Sequence, residues 1–350
     1  MIAAPSQKAP PGHKVRVLTA KGLRELFPDA LPASLHELDD PQCPVMWIHA
    51  ERDDAVVTAL EGMGLDEIAV KSLREGPERP RVEEFSDHLY ISLFSAGKPV
   101  GGRGPDLAEH VGMGAALPRL RQLRLFLGSR WLISVGHIAA SDYEALQERM
   151  RRQVFSRDRG PSFIAYHICE WMVESLQPTL EQLADRIDAL EDQVVMTTGE
   201  APMQELFGLK RDLVDLRRRT APVRDVMQRL GSHGVLFVEP EAEVYFRDVH
   251  DDVLRIIELL DTYRDILSSA LDLHLSSVSN RLNRVMKQLT VVATMFMPLS
   301  FLVGLFGTNF VQMPFRSLGW FVVMFALLFA SVTVMWLYTW RKTYGRRPGA

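Results

Sequence analysis

Residues 288–315 carry no charged side chain, nor do residues 317–340, and Arg316 alone separates the two stretches. A helix rises about 1.5 Å per residue and a bilayer's hydrocarbon core is about 30 Å thick, so about 20 residues cross it. Runs of 28 and 24 residues are both long enough. The competing reading is a pair of buried helices in a soluble core, but core helices rarely stay uncharged for so long. Two spans joined by a short loop make a hairpin, which puts both of its flanks on one side of the membrane.

Charge supports that reading and orients it. All 44 acidic residues precede residue 273, together with 32 of the 40 bases, a net of −12; the last 78 residues hold eight bases and no acid. Arg281, Arg284 and Lys287 precede the first span, and Arg341, Lys342, Arg346 and Arg347 follow the second. Seven flanking bases against the single Arg316 in the loop place both ends in the cytoplasm by the positive-inside rule. The expected location is therefore the cytoplasmic (inner) membrane, multi-pass, with N- and C-termini inside. Residues 1–14 have no apolar h-region, so no cleaved signal peptide is expected.

An apolar fraction of 47% excludes a disordered chain. Two cysteines 126 positions apart, Cys43 and Cys169, make neither a disulfide framework nor a thiolate metal site.

Composition shifts divide the chain into a flexible leader (1–14), an α/β domain (15–160) and a helical hairpin (161–240). A stalk helix (241–287), a first transmembrane helix (288–307), an external loop (308–318), a second transmembrane helix (319–340) and a basic tail (341–350) follow. Strand-like runs are expected at residues 45–49, 88–94, 123–126 and 131–135, and helices at 53–63 and 141–154. Residues 97–104 read as a Gly/Pro-rich loop. Beyond residue 162 the pattern is almost purely helical, with a kink or boundary at Pro178 and breaks at 197–200 and 231–234. From Glu241 no helix breaker occurs before Pro298. About 65 residues of helix span about 100 Å, so the portion outside the bilayer must stand as a stalk.

One face of the first span is unlike a lipid-facing surface. Asn283, Met286, Leu289 (or Thr290), Ala293, Met297, Ser300 and Gly304 recur at spacings of three or four, on one side of a helix. Small and weakly polar residues in membrane helices face other helices or a cavity. The stripe is therefore either a packing face or the lining of a pore built from copies of this helix. A single copy encloses nothing, so the pore reading needs an oligomer. Pro298 removes a backbone bond to Thr294 and should bend the helix, either as a tolerated membrane proline or as a gating hinge.

Residues 271–309, LDLHLSSVSNRLNRVMKQLTVVATMFMPLSFLVGLFGTN, resemble the CorA-type divalent-cation transporters. So do YFRDVHD from Tyr245, RPRVEEF from Arg79, and Met313-Pro314 after the start of the loop. The likeness covers nearly the whole chain, and the TVVAT-x-FMPLSF run is its most specific part. It implies an α+β cytoplasmic domain followed by long stalk helices and a two-helix transmembrane hairpin, assembled as a funnel-shaped homopentamer in the lipid bilayer. The first membrane helix would line the pore, through Asn283, Met286, Leu289, Met297 and Ser300. The family's G-M-N signature at the outer mouth falls on Gly307, Thr308 and Asn309. Mg²⁺ gives up its water reluctantly, so a ring of Asn309 amides would meet the hydration shell without stripping it. Met286 and Leu289 would form an apolar constriction able to gate by dewetting, with Ser300 a second ring of oxygens.

Two departures bear on the metal. Thr308 stands where the signature has methionine, and the zinc-transporting branch has an aliphatic residue there. The loop after Asn309 holds Arg316 and no carboxylate, whereas magnesium-transporting members often place acids there to concentrate cations. The expected cargo is Mg²⁺, with Co²⁺ or Ni²⁺; the alternative is a zinc-type, possibly proton-coupled, transporter. A different class altogether is a membrane-anchored sensor or assembly protein without conduction.

In the stalk, Asp251, Glu258, Asp265 and Asp272 recur every seven residues and share a face. The resemblance places a regulatory intersubunit cation site at Asp248, with Asp251 beside it. The family's partner carboxylate would fall near residues 97–104, where no acid occurs, leaving Asp106 as the nearest candidate. The bland reading of the stripe is a solvated face with pairs such as Asp251–Arg255. His49, His88, His137, His233, His250 and His274 show no metal-ligand spacing and read as structural. With no phosphate-binding glycine loop and no nucleophile motif, no enzyme, covalently bound cofactor or nucleic-acid partner is expected.

Overall fold

The computed structural model describes residues 15–19, 22–26, 34–40, 45–96, 120–154, 159–196, 201–307 and 318–344. It divides into two compact units, residues 1–271 and 272–350.

The first unit is built on a seven-stranded sheet. Its strands are β1 (Val15–Thr19), β2 (Gly22–Leu26), β3 (Val45–Ala50), β4 (Arg81–Glu84), β5 (Leu89–Ala96), β6 (Leu120–Leu127) and β7 (Leu132–Gly136). They lie in the order β2-β1-β3-β7-β6-β5-β4, antiparallel except for β3 beside β7. Strands β3, β5, β6 and β7 fall on the expected runs. The short strands β1, β2 and β4, of four or five residues, were not foreseen from periodicity.

Side chains alternate along the strands, as the pleat requires, and fill two cores. Trp47, Leu89, Ile91, Leu125 and Leu132 join the core that contains α4 (Ala140–Gln153), α5 (Pro161–Glu174), α6 (Gln177–Met196) and α7 (Ala201–Leu230). Ile48, Tyr90, Phe126 and Ile133 point the other way, into the core with α1 (Leu35–Asp39), α2 (Asp54–Gly62) and α3 (Glu67–Arg74). The boundary at Pro178 is real: α5 ends at Glu174 and the proline occupies the first turn of α6, where its missing N–H costs nothing.

Helix α8 (Pro240–Phe306) continues without interruption through Pro298. Its portion within the first unit buries Phe246, Val249, Val253, Ile256, Leu260 and Leu267, a stripe at the spacing of a helix packed on helices. These residues share one core with the sheet and α4–α7. The second unit contains the rest of α8 and α9 (Leu318–Tyr344).

Two polar clusters hold the sheet. Trp47 Nε1 donates to Ser134 Oγ at 2.9 Å, and His49 Nδ1 lies 2.9 Å from the same oxygen. Burial, aided by Arg16 and His137 and opposed by Glu51, pushes the His49 imidazole down to about 3. Unfolded histidine takes up its proton near pH 6.5, so the unfolded chain binds more protons throughout the interval between. The contribution of neutral His49 is complete above pH 6.5 and is lost as pH falls toward 3. Chemical denaturation is expected to show this unit about 2 kcal/mol less stable at pH 5 than at pH 7.5 through this group. His49→Asn should flatten that slope; an unchanged slope would remove His49 as its source.

On the opposite face, Glu78 receives Arg81 at 3.0 Å and Arg124 at 3.5 Å, and Tyr90 Oη donates to it. The Arg124 side chain is only 3% exposed, so this carboxylate neutralises a buried cation.

Candidate functional site

The sequence stripe on the first span comes out as one coherent face. In the second unit α8 has Val291, Thr294, Met295, Pro298, Leu299 and Leu302 half-buried, whereas Ala293, Met297, Ser300 and Gly304 are exposed. At 3.6 residues per turn the two sets centre on opposite sides of the helix. The half-buried side is the one turned to α9: Leu302 lines a groove of about 430 Å³ with Leu327, Ala330, Ser331, Val334 and Met335. The small and polar stripe is therefore not the packing face of the hairpin. It is uncovered in a single chain, with Met286 58%, Leu289 61% and Met297 76% exposed. Asn283 is exposed as well.

The chemistry along this face is that of neutral acceptors among apolar groups. Thr290 Oγ1 donates to Met286 O at 2.8 Å. Its proton is thus used within the helix, which leaves oxygen lone pairs as the outward function. A Cβ added at Gly304 would meet nothing within 4 Å, so the chain itself does not demand glycine there. Gly307 closes the helix, its N–H donating to Val303 O at 2.8 Å, and a Cβ there would sit 3.0 Å from that oxygen. Thr308 and Asn309 lie outside the described residues.

Both C-terminal stretches have the apolarity of membrane spans, with mean hydropathy 1.7 in α8 and 2.3 in α9 over 18 residues, and neither window is buried. Buried core helices would show the reverse, so the soluble-core alternative fails on exposure.

The stalk carboxylates Asp248, Asp251, Glu258, Asp265 and Asp272 are all exposed. Among the described residues no three His, Cys, Asp or Glu side chains of one chain come together as a metal site. Asp106 lies outside the described residues. Arg255 pairs with Asp252, at i, i+3, rather than with Asp251. Asp251 instead faces His250, at 3.4 Å.

Another cluster was not legible from spacing. Arg149 binds Glu170 at 2.7 Å and Glu174 at 3.4 Å, and Tyr166 Oη donates to Glu170 at 2.7 Å. With Gln153, Arg159 and Tyr245 they line a polar cavity of about 460 Å³. Burial works against Glu170 ionising, but His167, Tyr166 and Arg149 hold its carboxyl below the usual range. Burial, Glu170 and Asp248 raise the Tyr166 phenol. Apart from Arg159, just before α5, these residues come from α4, α5 and α8, so no local pattern could announce them.

The profile of the CorA-like Mg²⁺ transporter protein family matches residues 44–342. The chain belongs to that family. The cobalt/magnesium transport protein CorA of Thermotoga maritima is 31% identical over 305 residues, 85% of this chain and 83% of the relative. The zinc transport protein ZntB of Photorhabdus laumondii is 24% identical over 63% of this chain and 66% of the relative. In fold, the complete structure of the CorA magnesium transporter from Methanocaldococcus jannaschii superposes with a TM-score of 0.71. It covers 95% of this chain and 98% of that one at 21% identity. CorA-like architecture is thus present throughout: a soluble α/β unit, the long helix and two apolar helices of a membrane protein. The family's members are metal-ion transporters, not enzymes.

Proposed function

We propose that the chain conducts hydrated divalent cations, Mg²⁺ first and Co²⁺ or Ni²⁺ with it, through a homopentameric pore in the cytoplasmic membrane. The observation that carries this reading is the stripe from Asn283 to Gly304, exposed on the side of α8 opposite to α9. Copies of α8 that turned this face inward would line a path with amide, thioether and hydroxyl groups and leave the apolar sides to lipid and to α9. Neutral oxygens accept hydrogen bonds from a hydration shell without replacing it, which keeps binding weak enough for release. Gly307, Thr308 and Asn309 would form the outer selectivity motif, and Met286 with Leu289 the inner constriction. A membrane potential of 100 mV, negative inside, drives each dication inward by about 4.6 kcal/mol.

A zinc-type reading has its own support. The external loop carries Arg316 and no acid, and ZntB proteins are among the relatives. Regulation by a cation between subunits at Asp248 and Asp251, with Asp106 from a neighbour, fits the exposure of Asp248 and Asp251 and the lack of a complete ligand set among the described residues of one chain.

The test is metal flux into liposomes that contain the purified full-length chain. Mg²⁺ entry without a proton gradient supports the first reading. Zn²⁺ entry that needs the gradient replaces it with the second, and no flux of any of the four metals leaves a non-conducting membrane protein.

A further inference from the structure

Two thioethers of α8 stand apart from the other methionines. Met286 is 58% exposed and Met297 76%. Every other methionine whose side chain is described is buried or half-buried, as Met150, Met172 and Met227 are in the first unit and Met295, Met324 and Met335 in the second. Methionine ordinarily serves as an adaptable filler of apolar gaps, and those residues do so. Met286 and Met297 fill no gap in their own chain.

The two exceptions share one face. They are eleven residues apart, close to three helical turns, so both lie on the stripe from Asn283 to Gly304, about 16 Å from one another along the axis. Exposed apolar residues on the other sides of this part of α8, such as Leu282, Val285, Val292, Phe296 and Val303, contain no sulfur. Exposed thioether is thus confined, among the described residues, to the face that a conducting ring would turn to water.

A thioether in contact with water reacts with peroxides in a defined way. The sulfur lone pair attacks one peroxide oxygen, an S–O bond forms as the O–O bond breaks, and the sulfur gives up two electrons. With hydrogen peroxide the second oxygen takes the proton of the first and leaves as water. The product is a sulfoxide, polar where the thioether was apolar. Cys169 does not compete: it is buried, and burial pushes its thiol up, which keeps it protonated and unreactive.

We propose that Met286 and Met297 are oxidation sites through which peroxides hold the conduction path wet. The proposal rests on the conducting arrangement described above. There Met286 and Leu289 close the path by expelling water from an apolar ring. A sulfoxide at Met286 removes the apolarity without removing bulk, so the constriction no longer dewets. At Met297, one turn from Ser300, it adds a further ring of neutral oxygens.

The experiment treats the full-length protein in liposomes with hydrogen peroxide, measures metal uptake before and after, and locates added oxygen by mass spectrometry of the digested chain. Met286 and Met297 are expected to gain oxygen ahead of Met295 and Met335, and uptake to rise several-fold. The double variant Met286→Leu/Met297→Leu keeps apolar side chains of similar volume that take no oxygen. Its uptake, whatever the starting level, should not respond to peroxide. Oxygen reaching Met295 or Met335 as early as the two exposed residues would overturn the proposal, as would a double variant that responds like the native chain. Native uptake that full oxidation of both residues leaves unchanged or lowers removes this proposal alone. No uptake either before or after treatment removes the conducting arrangement, and this proposal with it.

Discussion

Gly304→Phe is expected to reduce metal uptake to the level of empty vesicles while leaving folding and membrane insertion intact. The position lies on the exposed stripe of α8, and a side chain there meets no atom of its own chain within 4 Å. Within one copy the phenylalanine is therefore tolerated; around a pore every copy adds a ring at the same level, and the rings obstruct each other. Val322→Phe on α9, where the native side chain is 59% exposed, adds similar bulk toward lipid and should leave uptake unchanged. The driving force is the same in both, about 4.6 kcal/mol per dication at 100 mV, so a difference between them reports the path and not the energetics. Asn309→Ala, at the outer end of the same helix, is expected to collapse uptake by removing the amide that meets the hydration shell. Wild-type flux in Gly304→Phe would move the conduction path off this face.

The largest effect on stability is expected for Glu78→Ala. Its carboxylate serves Arg81 at 3.0 Å, Arg124 at 3.5 Å and the Tyr90 hydroxyl, and Arg124 has almost no access to water. Removing one member of a buried ion pair leaves the other charge uncompensated and typically costs 3–5 kcal/mol. Because Glu78 is 20% exposed, the lower end applies, about 3 kcal/mol, or roughly 6–12 °C in Tm for a unit of this size. Glu75→Ala is the contrast: its pair with Lys71 is 3.7 Å long with both side chains about two-thirds exposed, so the change should stay below about 1 kcal/mol. Thermal melting of the full-length protein compares the two, and equal melting temperatures would show that Arg124 has another source of compensation.

Much of this protein could be read before any fold was known, and the residues show why. The spans at 288–315 and 317–340 needed only counting, since bilayer thickness sets their length and the absence of charge marks them. Unbroken α8 followed from the lack of glycine or proline between Glu241 and Pro298. Strands β3, β5, β6 and β7 announced themselves by apolar runs, whereas the short β1, β2 and β4 are interrupted by charged residues such as Arg16, Arg24 and Glu83. Asn283, Met286, Ala293, Met297, Ser300 and Gly304 could be placed on one face because helical spacing is local.

Which neighbour that face meets was not local. Periodicity alone left the stripe equally suited to packing against α9 or to lining a path. Only the fold showed α9 on the other side, at Leu302, because the partner of a helix face is chosen by a segment distant in the chain. The same holds for the Arg149–Glu170–Tyr166 cluster, whose members are drawn together from α4 and α5, and for Glu78, a loop residue made important by a buried arginine two strands away. The amino-acid order determined where the chain is apolar, charged and helical, since those properties belong to short stretches. The tertiary structure decided which surfaces are spent on packing and which remain open, since burial depends on residues far apart in sequence.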